Sequence, residues 1–317
     1  AALAAITIGA TATAAGFPQR PVRLIVPFAP GGSIDVVARQ LGQKLSERWA
    51  QQVVVDNRPG AGGNLSAELA ARAAADGHTL YLCGTSFVVN ASLYAKLPYD
   101  PLRDFDPVSL LASQPYLIVV HPSLPVRDVR QLVALAKAHP GKLAFGTPAV
   151  GTGGHLTAHL LMSMTGINLL VVPYKAAVGT GQSEALGGHL QGMVGTMSSI
   201  YTLAKSGKLR PIGVAELARS PLAPDIPTII EAGQPDFHAP SFYGIAGPRG
   251  MNADLVNRLN ADIQAVVKLP STLQQMNKVG VSPVTGGPEG LTRILRFNYE
   301  LWSKVIRDSK IEFQGDD

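Results

Sequence analysis

Short apolar runs alternate with amphipathic stretches through most of the 317 residues, and this alternation constrains the fold more than any other feature. The first unit is the run VRLIV, a glycine- and proline-rich turn, and a stretch from Ser33 to Trp49 with apolar residues on one helical face. Later strand-like runs are VVVDN, TLYLCG, LIVVHP, LAFGTP, LLVVPY, HLQGMVG and LRPIGVA. Strands separated by helices predict an α/β fold with mostly parallel sheets.

The order of the runs predicts two domains. Helical patterns dominate after Asn252, whereas two isolated strand-like segments, YLIVVHPS and SFYGIAGPRG, have the character of crossings between domains. We therefore expect residues 120–239 to form a domain that is inserted into another, made of residues 17–119 and 240–317. The chain is long enough for two cores, since 46% of its residues are hydrophobic.

The first sixteen residues, AALAAITIGATATAAG, are small, apolar and uncharged. This composition is typical of the apolar and cleavage regions of a secretory signal peptide, with Ala12-Thr13-Ala14 as an A-x-A site. A disordered tail or a short terminal helix is the alternative. No other uninterrupted apolar run is long enough to cross a bilayer, so we expect an exported protein.

Two glycine-rich turns carry the main functional signal. PFAPGGS joins the first strand to its helix, and TPAVGTGGH does the same early in the expected inserted domain. The first N–H groups of a helix have no partner inside it, and the helix dipole places partial positive charge there. An anion binds such an end without a lysine or arginine. We expect Ser33 to cap its helix and Asp35 to have a structural role.

The turns and their neighbours supply further candidates. The hydroxyls of Thr147 and Thr152 are placed to orient a carboxylate, and Ser86 and Asn90 follow a strand that ends near the same cleft. The alternative for Ser86 and Asn90 is that they are ordinary loop residues that do not reach the cleft. For His155, the alternative to a ligand contact is a partly exposed imidazole bonded to backbone.

Several function classes are excluded by motif. The net charge of +5 is not clustered as a nucleic-acid site requires, and no P-loop, dinucleotide-binding or nucleophile-elbow pattern is present. The single cysteine, Cys83, lies in an apolar run and reads as a buried structural thiol. His155 and His159 are one helical turn apart but have no acidic partner between them. The sequence predicts no metal, no cofactor and no catalytic pair.

The ordered motifs identify a family. RPVRLIVPFAPGGSIDVVAR, QQVVVDNRPGAGGN, LPYDPLRDFDPVSLLASQPYLIVV, LAFGTPAVGTGGHL, KSGKLRPIGVA and DIPTIIEAG follow one another in this chain. In these stretches, the chain resembles the extracytoplasmic solute receptors of tripartite tricarboxylate transporters, called Bug-type receptors. The resemblance covers nearly everything after the leader-like segment.

The resemblance implies a type II periplasmic-binding-protein fold whose two domains close around a small carboxylate. It implies a periplasmic monomer without catalytic residues or cofactors, which delivers its ligand to membrane transporter subunits and binds no nucleic acid. The expected ligand-binding residues are Phe28, Ala29, Pro30, Gly31, Gly32, Ser33, Ser86, Asn90, Thr147, Val150, Gly151, Thr152, Gly153, His155 and Thr196.

Two departures from the family pattern are visible. Met193-Val194-Gly195-Thr196 stands where members commonly carry an acidic residue, and Phe242 stands where a tryptophan is usual. The first departure predicts a ligand without an amino group. Two other functions remain open at this point: a sensor that signals to a membrane kinase, and an enzyme on a binding-protein fold.

Overall fold

The structure is a computed structural model that describes residues 16–174 and 178–312. The predicted leader lies outside these residues, apart from Gly16. No helix within the described residues has both the length and the apolar character that a membrane crossing needs.

Eleven strands and ten α-helices are formed in the described part of the chain. The strands are β1 (Val22–Val26), β2 (Val53–Asn57), β3 (Thr79–Gly84), β4 (Phe105–Ser113), β5 (Tyr116–Val120), β6 (Ala144–Pro148), β7 (Leu170–Tyr174), β8 (Gly192–Thr196), β9 (Arg210–Val214), β10 (Tyr243–Pro248) and β11 (Ser282–Gly286). The helices are α1 (Ser33–Trp49), α2 (Asn64–Ala71), α3 (Thr85–Leu93), α4 (Val129–Ala138), α5 (Gly153–Thr165), α6 (Val178–Leu186), α7 (Met197–Lys205), α8 (Ala253–Val267), α9 (Pro270–Lys278) and α10 (Pro288–Asp308).

The strands form two separate sheets. The first has the order β11-β4-β10-β3-β1-β2, and the second has the order β7-β6-β8-β5-β9. β1 runs parallel to β2 and β3, and β6 runs parallel to β7 and β8. The pairs made by β10, by β11 and by β5 are antiparallel. The expected α/β organisation is confirmed, but the expectation of mostly parallel sheets is wrong, because β10 and β11 in the first sheet and β5 in the second run against the other strands.

The central strands β1 and β5 are buried on both faces, because successive side chains along a strand enter cores on opposite sides of the sheet. In β1, Leu24 joins the core under α1, α8 and α9, whereas Ile25 joins the core under α2, α3 and α10. In β5, Ile118 faces α4 and α5, whereas Leu117 faces α6 and α7. Both sheets therefore sit between helical layers. Helix α10 adds Leu295 to a core of the first sheet and Trp302 to a core of the second.

The chain crosses between the sheets at two adjacent places. β4 ends at Ser113 in the first sheet, and β5 begins at Tyr116 in the second. The return enters the first sheet at Tyr243. The crossing segments are tied together, because the backbone N–H of Gln114 donates to Ser241 Oγ at 2.6 Å and the Ser241 hydroxyl donates back to the Gln114 carbonyl. The domain boundaries at residues 120 and 239 stay a prediction; β5 begins four residues before the first of them.

Most predicted elements are present, with three additions. The sequence pattern predicts helices at 126–139, 155–164, 199–206 and 253–268, and α4, α5, α7 and α8 form close to these bounds. The pattern predicts neither α3 nor β4, and β11 interrupts the expected helical tail. Cys83 is fully buried and donates to the Gly244 carbonyl at 3.3 Å, as a structural thiol should.

Candidate functional site

Four helix starts meet around the outward crossing, residues Gln114 to Tyr116. Helices α1, α3, α5 and α7 each begin within a short turn of the carboxyl end of a strand. The Gln114 carboxamide nitrogen donates to Ser33 Oγ at 2.6 Å and to Ser198 Oγ at 2.7 Å, at the starts of α1 and α7. The Tyr116 hydroxyl is hydrogen-bonded to Thr85 at the start of α3, and a Cβ on Gly153 at the start of α5 would overlap it.

The turn before α1 is held by its own first helical residues. Gly31 has φ +98°, a conformation that L side chains rarely adopt, and its N–H donates to Asp35 Oδ2 at 2.9 Å. Asn57 donates to both Asp35 Oδ1 and the Phe28 carbonyl, each at 2.9 Å. The predicted structural role of Asp35 fits this geometry, and the Gly31 amide is already occupied.

The prediction that Ser33 caps α1 is wrong. The N-cap is Gly32, with extended backbone at φ −75° and ψ 166°, and Ser33 is the first helical residue. The Ser33 hydroxyl instead contacts Gln114 and lies 3.0 Å from the Tyr243 hydroxyl. The amides of Gly32, Ser33 and Ile34 remain the orphan donors that every helix start presents. Phe28 to Gly32 are exposed around them.

The turn before α5 repeats this backbone in the second sheet. Gly151 has φ +78°, and the N-cap Thr152 has φ −72° and ψ 157°. The Thr147 hydroxyl donates to the Pro148 carbonyl at 3.0 Å, and the Thr152 hydroxyl donates to the Ala149 carbonyl at 2.7 Å. Both hydroxyl hydrogens are therefore engaged by backbone rather than offered to a carboxylate. The donors at this turn are the amides at the start of α5, beginning with Gly153.

The start of α7 adds a cluster of hydroxyls. Thr196 is the N-cap, with φ −73° and ψ 152°, and its Oγ1 lies 3.0 Å from Ser198 Oγ and 3.1 Å from Ser199 Oγ. The Met197 N–H donates to the Pro115 carbonyl at 2.7 Å, which fixes this helix start against the crossing. Thr196 was predicted as a site residue, whereas Ser198 was missed.

The remaining predicted residues lie in helices. Ser86 is half-buried in the first turn of α3. Asn90 is buried in the same helix, and its amide donates to the Gly62 carbonyl at 3.1 Å and to Asn64 Oδ1 at 2.7 Å. The loop alternative for Ser86 and Asn90 is therefore wrong, because both belong to a helix whose backbone hydrogen bonds the sequence pattern did not reveal.

His155 is only 4% exposed, and its Nδ1 has no hydrogen-bond partner among the described residues. The alternative of a partly exposed histidine bonded to backbone is therefore wrong. Burial, with a smaller effect of His159, lowers the pKa of His155 to about 4. The imidazole is neutral near pH 7 and adds no charge to the start of α5. The rings of His155 and His159 are 4.6 Å apart.

The charged groups near the crossing do not oppose an anion strongly. Burial alone raises the pKa of Asp35, but hydrogen bonds from Arg39, the Gly31 amide and Asn57 outweigh it, so the pKa lies below its ordinary value. Arg39 neutralises this carboxylate with a 2.9 Å ion pair. Burial raises the pKa of Glu216, which is hydrogen-bonded to Ser113, to about 7. Glu216 is therefore partly protonated at neutral pH.

The arrangement can bind an anion through helix starts alone. None of the predicted site residues is a lysine or an arginine. In the described residues, no three histidine, cysteine, aspartate or glutamate side chains come together as a metal site. Sequence reasoning missed Thr85, Gln114, Tyr116 and Tyr243. Three of them lie in quoted family or crossing segments, but no spacing or charge pattern there marks them as site residues. A polar residue two positions before the predicted crossing YLIVVHPS is the one signal that would have pointed to Gln114.

Comparison with known proteins places the chain in a family. The description "Tripartite tricarboxylate transporter family receptor" matches residues 37–311. A UPF0065 protein from the tcbD-tcbE intergenic region of Pseudomonas sp. strain P51 is 37% identical over 296 residues, covering 93% of this chain and 88% of that protein. Protein BugT of Bordetella pertussis is 33% identical over 309 residues, covering 97% and 94%.

Solved structures agree with this placement. R. palustris Rpa4515 with adipate superposes with a TM-score of 0.80 at 33% identity, covering 93% of this chain and 99% of that chain. MatC from Rhodopseudomonas palustris with bound malate gives a TM-score of 0.76 at 28% identity, covering 92% and 100%. The expected periplasmic-binding fold is confirmed by these neighbours. The chain belongs to the Bug-type receptors of the tripartite tricarboxylate transporter family.

Proposed function

We propose that this receptor captures a small organic carboxylate between its two sheets in the periplasm and delivers it to membrane transporter subunits. One observation carries the proposal most directly. The starts of α1 and α5 come from different sheets, share one backbone geometry, and both adjoin the Gln114–Tyr116 crossing. A ligand with carboxylate groups can therefore contact both halves of the molecule at once.

The anion is held by backbone amides. The orphan N–H groups at the starts of α1 and α5, near Ser33 and Gly153, donate to carboxylate oxygens, and each helix end contributes about half a positive charge. Charge-assisted hydrogen bonds of this kind are stronger than neutral ones. Thr196 and the exposed residues Phe28 to Gly32 complete the walls of the site.

Capture requires that the ligand prefers one arrangement of the two halves. Residues 17–119 with 240–317 form one domain, residues 120–239 form the other, and the crossings near Gln114 and Ser241 are the hinge. A ligand that contacts both domains only when they are closed shifts the population toward the closed form. The receptor acts as a monomer, and its leader is removed on export.

The class of ligand follows from what the second sheet lacks. Met193 to Thr196 contain no carboxylate that could pair with a ligand ammonium group. Malate and adipate, named with the two neighbouring structures, are dicarboxylates without an amino group. We expect plain organic acids to bind better than glutamate or aspartate.

Thermal unfolding and calorimetric titration with matched ligands test the proposal. The panel contains adipate, malate and an aromatic acid, with L-glutamate and the uncharged diamide of adipate as controls. A ligand at a hundredfold its Kd stabilises the native state by about 2.7 kcal/mol, which corresponds to a rise in Tm of roughly 5 °C. An organic acid should give this rise and the diamide should not. Stabilisation by only sugars or metal cations contradicts carboxylate capture, and tight glutamate binding contradicts the ligand class.

A further inference from the structure

Gln114 is a buried polar side chain at the place where the chain leaves the first sheet. It is 7% exposed, and its carboxamide makes three side-chain hydrogen bonds. The nitrogen donates to Ser33 Oγ at 2.6 Å and to Ser198 Oγ at 2.7 Å, and the oxygen accepts from the Tyr243 hydroxyl at 2.7 Å. Both N–H groups of the amide are therefore used.

The partners of Gln114 belong to opposite halves of the molecule. Ser33 is the first residue of α1, which packs on the first sheet, and Tyr243 begins β10 in that sheet. Ser198 lies in the first turn of α7, which packs on the second sheet. One nitrogen atom thus joins the two helix starts across the cleft.

A second contact reaches the start of α7 from the first half. Gly280, in the turn between α9 and β11, has φ +68°, and a Cβ there would lie 2.7 Å from the Ser198 backbone nitrogen. The first half therefore contacts Ser198 through both the Gln114 side chain and the Gly280 backbone. This close approach is independent of the hydrogen-bond network.

We propose that Gln114 is a positioning residue that holds the starts of α1 and α7 in the ligand-ready arrangement, an inference that rests on the proposed function. Rotation of one half away from the other moves Ser198 relative to Ser33, so one amide N–H loses its partner. A buried donor without a partner is costly, which makes the network favour the arrangement with both helix starts facing one cleft. Gln114 acts through these serines.

The affinity for ligand depends on how often this arrangement is populated. The apparent Kd equals the intrinsic Kd divided by the fraction of molecules in the competent state. Replacing Gln114 with methionine keeps an unbranched side chain of similar length and removes both donors. We expect Gln114→Met to bind its carboxylate about tenfold more weakly, because two buried hydrogen bonds no longer favour the competent state.

A matched control separates positioning from general destabilisation. Gln264 also makes three side-chain hydrogen bonds, to Ser109 Oγ at 2.8 Å, the Leu110 carbonyl at 2.8 Å and the Gly286 carbonyl at 3.1 Å. All three partners belong to strands of the first sheet. Gln264→Met should lower the Tm while leaving the affinity for carboxylate unchanged.

Distances between two spin labels measure how the two halves of the molecule are arranged in the ligand-free protein. Labels are attached to Ala134→Cys in α4 and Gln274→Cys in α9, two exposed positions on opposite halves. Cys83 does not compete for the label, because it is fully buried. In the ligand-free protein, Gln114→Met should broaden the distance distribution, whereas Gln264→Met should leave it as in the parent.

A double-mutant cycle tests whether Gln114 and Ser198 act as one unit. Ser198→Ala alone should weaken ligand binding severalfold, and the combination with Gln114→Met should be no weaker than Gln114→Met alone. The proposal is overturned if Gln114→Met matches the parent in both affinity and label distances, or if its effects equal those of Gln264→Met. If the parent protein binds no organic acid, carboxylate capture fails, while the label distances still decide the role of Gln114.

Discussion

At the scale of single residues, two glycines set how closely the helix starts approach one another. A Cβ on Gly151 would overlap Leu93 of α3, and the φ of +78° already disfavours any other residue there. Gly153 has ordinary backbone, but a Cβ would overlap the Tyr116 hydroxyl that is bonded to Thr85. Because these two glycines have no side chain, the start of α5 can pack directly against Leu93 and Tyr116.

Gly153→Ala should displace Tyr116 and separate the starts of α3 and α5. We expect a loss of about 1–3 kcal/mol in the free energy of unfolding, as overpacking of a filled site produces. The affinity for the carboxylate should fall at least tenfold. The α5 amides move away from the ligand, and hydrogen bonds weaken steeply outside a narrow range of distance and angle. Urea denaturation and calorimetric titration measure the two effects.

Gly290→Ala is the control for that substitution. Gly290 lies in the first turn of α10, and a Cβ there would have no neighbour within 4 Å. Alanine is the better helix former, so this variant should be as stable as the parent or more stable by up to about 1 kcal/mol. A Gly153→Ala protein that behaves like Gly290→Ala would show that the contact with Tyr116 does not shape the site.

At the scale of elements, the site is a set of strand–turn–helix units with similar N-caps. The extended residues Gly32, Thr152 and Thr196 precede α1, α5 and α7 with nearly equal φ and ψ. Asp35 stabilises the first unit by accepting from the Gly31 amide and from Arg39, each at 2.9 Å. The turn geometry therefore depends on a carboxylate one helical turn into α1.

Asp35→Asn should loosen this turn. An amide group has only one acceptor oxygen, so it cannot accept from Gly31, Arg39 and Asn57 as the carboxylate does. We expect a loss of about 1–3 kcal/mol in stability at pH 7, together with weaker carboxylate binding. Asp128→Asn is the control: Asp128 caps α4 by accepting from the Gln131 amide at 2.8 Å, and asparagine caps equally well.

The effect of Asp35→Asn should depend on pH in one direction. The folded pKa of Asp35 lies below its ordinary value of 3.8, so its contribution to stability is present above pH 3.8 and is lost as pH falls through the lower folded pKa. The stability difference between parent and variant should be full at pH 7 and shrink in strong acid. A difference that stays constant from pH 7 to strong acid, measured by urea denaturation, contradicts a charged role for Asp35.

The sequence predicted elements where helical periodicity or an apolar run was clear, and it missed elements that show neither signal. The patterns at 253–268 and 288–308 predict the amphipathic helices α8 and α10 nearly to the residue. Helix α3 was missed because TSFVVNASL is apolar on several sides and contains two β-branched valines, so no helical stripe appears. β11 was missed because SPVTG contains proline and glycine, which are depleted in strands.

At the scale of the whole molecule, two sheets are joined by adjacent crossings and by one long helix. The sequence predicted the glycine-rich turns that precede α1 and α5, because these follow from local pattern. It could not predict that Gln114 joins Ser33 and Ser198, which lie 81 and 84 residues from it along the chain. Such contacts depend on how the halves pack, and no periodicity records that.

The proposed function requires that backbone amides at the starts of α1 and α5 bind the same carboxylate ligand from opposite sides. Backbone amide chemical shifts of the 15N-labelled protein, followed during titration with a dicarboxylate, test it directly. We expect large shifts for the amides of Gly32, Ser33, Gly153 and Gly154, all saturating with a single Kd. A dicarboxylate that binds tightly while leaving the amides of either turn unshifted would contradict it.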